Sequence, residues 1–104
     1  MGKNRDIKSL ISLLVSTVVH EIVAKHTNRP ESRPFLRKEA VEYRGQAEEA
    51  FGLHTWNESD KIHIKEKVIH HVNKVLISKY PDIPFNEKEI VDLAKQEINK
   101  FIDD

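Results

Sequence analysis

A chain of 104 residues has room for one domain, spanning 1–104, and not for a catalytic domain beside a regulatory one. Its 17 basic and 17 acidic residues cancel, so overall charge selects no partner, and the absence of cysteine excludes a disulfide framework, a thiolate zinc site and a cysteine nucleophile. Charged residues make up 33 % of the chain, above the usual quarter, which suits a small domain with much surface for its volume.

The first predicted helix covers 5–26. Asn4 is placed to cap it, because a side-chain amide oxygen can accept from the free N–H groups of a first turn. Ile7, Ile11, Leu14, Val18 and Ile22 form its central stripe, and Leu10, Val15, Val19 and Val23 widen that stripe to about half the circumference at 100° per residue. The far face is Ser9, Ser12, Leu13, Ser16 and His20, small and weakly polar. Residues 27–33 read as loop.

The second predicted helix covers 34–51, starting beside Ser32 and Arg33, with Pro34 tolerated in a first turn. Leu36, Ala40, Tyr43, Ala47 and Ala50 make a narrow stripe. Gly52 is expected to end the helix in a left-handed conformation. Gly45, on the polar side, costs about 1 kcal/mol against alanine.

The third predicted helix covers 58–79, with Asn57 as cap and Tyr80-Pro81 as stop. Ile62, Ile69, Val72 and Leu76 centre its stripe, flanked by Ile64, Val68 and Val75. The fourth begins at Asn86, whose partner Glu89 completes a capping-box pattern, and Phe85 is expected to staple onto Ile90. Ile90, Ala94, Ile98 and Phe101 form its buried face. No stretch alternates with period two, so no sheet is expected. The fold class is all-α: a single-domain antiparallel bundle of four helices with connections of about 5–8 residues.

Basic residues open the chain, but no cleavage pattern follows the uncharged run 9–19, and that run is short of the ~20 residues that a bilayer requires. Asp6 stands where a myristoylation pattern wants Ser or Thr. The expectation is a cytoplasmic protein with no membrane contact.

Charge is uneven along the chain. Residues 1–34 carry +3, residues 60–80 carry +3, and residues 81–104 carry −4. On the third helix His63, Lys67, His70 and Lys74 fall within about 60° of one another at 100° per residue, a basic ridge with His71 at its border. Arg29, Arg33 and Arg37 could extend it toward an anionic partner.

Motifs for chemistry are missing. His20-Glu21 with His26 has a six-residue gap where a zincin needs four. His63, Glu66 and His70 share a face, but lysines between them make it a poor cation site. Neither Glu-x-x-His, nor a Gly-x-Ser-x-Gly elbow, nor a glycine-rich phosphate loop occurs. Trp56, in the loop before the third helix, is read as a ring folded over the end of a small core.

The composite expectation is a non-enzymatic interaction module with no metal and no cofactor. It is expected to self-associate as a homodimer through Ser9, Ser12, Leu13, Ser16 and His20, because a chain of four helices has no fifth to cover a central one. The alternative is a nucleic-acid-binding domain using His63, Lys67, His70, Lys74, Arg29, Arg33 and Arg37. Against it stands the neutral total charge, since nucleic-acid binders are distinctly basic.

Overall fold

The computed structural model describes residues 2–26, 29–81 and 86–103, with side chains described over 5–26, 29–81 and 86–102. Four helices follow in order: α1 (Gly2–His26), α2 (Arg33–Gly52), α3 (Glu58–Lys79) and α4 (Glu87–Asp103). Among the described residues there is no strand. The molecule is a single-domain all-α bundle, measuring 41 × 26 × 23 Å.

Most boundaries follow from proline, glycine and caps. Asn57 caps α3: its side chain accepts from the Asp60 N–H at 2.7 Å, and Asp60 accepts in return from the Asn57 N–H at 3.4 Å. Asn57→Ala is expected to cost about 1 kcal/mol, the usual worth of a side-chain cap, measured as a shift of the urea midpoint. An unchanged midpoint would mean that solvent satisfies this first turn equally well.

Three expectations are corrected. α1 begins at Gly2, so Asn4 lies inside the first turn and is not the cap. Nothing in that stretch breaks a helix, and its glycine stands at the extreme end, where propensity costs least. Secondly, Gly52 does not end α2 by turning left-handed; no described glycine has a positive φ. The chain keeps turning right-handed through Leu53, whose N–H donates to the Ala50 carbonyl at 3.3 Å. Thirdly, the segment read as loop contains a 3-10 turn, Pro30–Ser32, and Ser32 caps α2 without a side-chain hydrogen bond. At α4 the Asn86 side chain accepts from the Lys88 N–H at 2.9 Å. Phe85, and with it the expected staple, lies outside the described residues.

Gly45 stands exposed in α2 with open space around the position a Cβ would take. Gly45→Ala is therefore expected to stabilise by about 0.5–1 kcal/mol, since the helix loses only the entropy penalty of glycine. A denaturation curve that moves the other way would show that α2 is strained there.

α1 is the centre of the bundle, and every other helix packs on it. α2 runs antiparallel to it: His20 meets Glu39 and Tyr43, while Asp6 meets His54 just past the end of α2. Ala40 and Ala47 are fully buried, and their small side chains let the two backbones come close. Leu10, Leu14, Val18 and Ile22 of α1 join Ile64, Val68, Val72 and Leu76 of α3 and Ile90, Ala94 and Ile98 of α4 in one core. Between Val18 and Ala24 the buried side chains of α1 spread over roughly 240° at 100° per residue. From Val18 to Ala24 the apolar surface of α1 is thus covered by its own chain. By length and composition alone Arg5–His26 would also suffice to cross a membrane. In the fold that stretch is the helix on which the others rest.

The buried row of α3 is Ile64, Val68, Val72 and Leu76, at steps of four. Ile62, expected at the centre of the stripe, is 54 % exposed, and Ile69 is half-buried. The helix is rotated about its own axis by roughly 60° from the expected orientation. That rotation turns His71 and Val75 toward α1.

Candidate functional site

A concave feature lies between α1 and α3. Ile7, Ile11 and Val15 form one row along α1, and Lys8, Ser12 and Ser16 form the next. From α3 comes a single row at four-residue steps: Ser59, His63, Lys67, His71 and Val75. Rows at that spacing are the natural ridges of a helix surface, and two facing ridges leave a groove between them. The groove has a volume of about 1040 Å³ and is open to solvent along its length.

Its floor is apolar. Ile7, Ile11, Val15 and Val75 are half-buried and lean on the core. The rim is basic: Lys8 on one side, and His63, Lys67 and His71 on the other. The groove's acidic group is Asp60, at one end, and its carboxylate is engaged in the capping box of α3. Among the described residues Lys8 and Lys67 form no salt bridge. Further along the same side of α1, Val19 and Val23 are buried, and Lys25 reaches Glu97 of α4 at 3.1 Å. The groove is the part of that side which the chain leaves uncovered.

The four α3 residues of the basic set stay together: His63, Lys67, His70 and Lys74 are all exposed on one side of the helix, and His63 and Lys67 also line the groove. Arg29, Arg33 and Arg37 are exposed around the start of α2, near the other end of α1. His71, placed at the border of the ridge by sequence, is a wall residue of the groove.

The face expected to self-associate is divided as well. His20 lies against α2: its Nε2 is 3.0 Å from Glu39, its ring is 5.3 Å from that of Tyr43, and its Nδ1 is 2.6 Å from the Ser16 carbonyl. Leu13, two turns earlier on the same side, is half-buried against the core. Ser12 and Ser16 edge the groove, and Ser9 is exposed. Of this set it is His20 that meets α2 of the same chain.

One contact escaped the sequence reading because it joins residues far apart in it. His54 pairs with Asp6, which ties the turn after α2 to the start of α1. Trp56 is buried, stacks on Phe51 at 5.8 Å and donates from Nε1 to the Phe51 carbonyl at 2.6 Å. Among the described residues no three of His, Asp or Glu converge as metal ligands would. Comparison of the chain with protein-family models, with curated proteins and with solved structures gives no match.

Proposed function

We propose that this protein is a non-enzymatic interaction module that takes a partner into the α1/α3 groove. The observation that carries this reading is an apolar floor left open by a chain that covers α1 elsewhere. Exposed apolar surface of that kind, rimmed by polar groups, is characteristic of interaction sites. A homodimer through the same groove is disfavoured, because a two-fold contact sets each patch against its own copy and would bring Lys8 and Lys67 against like charges. The nucleic-acid reading keeps an exposed basic ridge on α3, His63, Lys67, His70 and Lys74, but its arginines stand on another element at the start of α2, and the neutral total charge weighs against it.

The test is selection of peptides from a random displayed library against the full chain. Ser12→Trp fills the groove from an exposed edge position without entering the core. Selected peptides should lose binding to that variant while circular dichroism shows the helical fold retained. Peptides that bind both proteins equally, or none at all, would overturn the reading.

A further inference from the structure

We infer that the occupant of the groove is an acidic amphipathic helix of another protein. This rests on the groove being the binding site, as proposed above, and names the chemistry it selects.

Length comes first. From Ile7 to Val15, and from His63 to His71, is eight residues in each case, about 12 Å at 1.5 Å per residue. A helix that presents apolar residues at i, i+3 or i+4, and i+7 spans about the same distance, and this is the usual pattern of a helix lying in a groove. The floor offers four apolar positions to meet such a stripe: Ile7, Ile11, Val15 and Val75. The walls are ridges of two helices, so a third helix can set its own ridge between them at the ordinary interaxial spacing of 8–10 Å.

Charge comes second. Cations flank the apolar floor on both sides, Lys8 on α1 and Lys67 on α3, with His63 and His71 along the second wall. The matching helix carries Asp or Glu on both sides of its apolar stripe. Such complementarity steers encounter and rejects partners of the wrong sign. A long-chain carboxylate matches the chemistry less well. It has one anionic end for a rim about 12 Å long. The groove is also open, whereas small-molecule sites bury some 70–90 % of their ligand.

The experiment reads the peptides selected above and measures their affinity for the full chain by fluorescence anisotropy. The expected sequences carry apolar residues at i, i+3 or i+4, and i+7, flanked by Asp or Glu. Their affinity should fall about tenfold for the Lys8→Glu/Lys67→Glu protein, both positions being exposed, and recover when the peptide acids are replaced by lysine. Added salt should weaken the original pair. Peptides that need an open groove, as judged by Ser12→Trp, but carry no acids and ignore the lysine reversal would overturn the acidic class and leave the interaction module standing. No groove-dependent peptide at all would overturn both. Salt-sensitive binding of a labelled DNA duplex, lost on lysine reversal and found without peptide binding, would overturn the proposal in favour of a phosphate backbone.

Discussion

Leu14→Ala is expected to destabilise the protein by about 3–4 kcal/mol, within the range for leucine truncation in a packed core. Leu14 is 1 % exposed on the helix that all the others contact. A cavity there is walled by elements already held by their neighbours, so little can relax into it. Set against the roughly 5–15 kcal/mol of a typical domain, this is a large fraction. For a chain of this size it corresponds to a fall in melting temperature on the order of 15–20 °C. Urea denaturation followed by the fluorescence of Trp56 measures it, with the slope expected to stay unchanged. Ile77→Ala, at an exposed position of α3, is the control and should stay within about 0.5 kcal/mol. A Leu14→Ala loss below 1 kcal/mol would contradict the central position of α1.

The second large effect is expected at Trp56. Its ring stacks on Phe51, and the His54 ring meets it edge-on at 5.3 Å; Phe51 in turn meets Phe101 of α4 edge-on at 5.6 Å. One side chain thereby joins the end of α2, the following turn and the last part of α4. Trp56→Ala should cost about 3–5 kcal/mol by loss of the buried ring, read as a thermal melt by circular dichroism. Trp56→Phe keeps much of the stack and removes the bond from Nε1 to the Phe51 carbonyl. Its cost should be nearer 1–2 kcal/mol, that of a lost hydrogen bond at a buried site. Equal losses for the two variants would show that the hydrogen bond, and not the ring, closes this end of the core.

The number and type of elements were legible because helical periodicity is long and its interruptions are chemical. Pro30, Pro34, Gly52 and Pro81 stand where regular helix stops or starts, and Asn57 caps α3 as its side chain allows. The rotation of α3 was not legible. Ile62 and Ile69 compete with Ile64 and Val68 for the core, and periodicity alone gives both rows similar weight. Packing decides, and only the outcome determines whether His70 or His71 faces α1. The groove depends on that choice, so no motif could announce it. The width of the apolar surface on α1 was legible in the residues, but what covers it was not: in the fold three helices of the chain pack on α1, and the stretch with Ile7, Ile11 and Val15 still lines an open groove.

α2 is held differently from the other helices. It packs chiefly on α1, and its fully buried side chains are two alanines, Ala40 and Ala47, where α3 contributes Ile64, Val68, Val72 and Leu76. Alanines permit intimate contact but remove little apolar area from water, and the hydrophobic contribution follows area. The bundle is therefore graded in its resistance to opening. α2 is expected to lift away as a unit at a free energy below that of global unfolding, while the amides of α1 and α3 remain protected, in the manner of cooperative sub-global openings. Hydrogen exchange should rank α2 below the two helices it leaves behind. Such an opening would bare the side of α1 that carries Leu13 and His20, a surface that the closed protein keeps to itself.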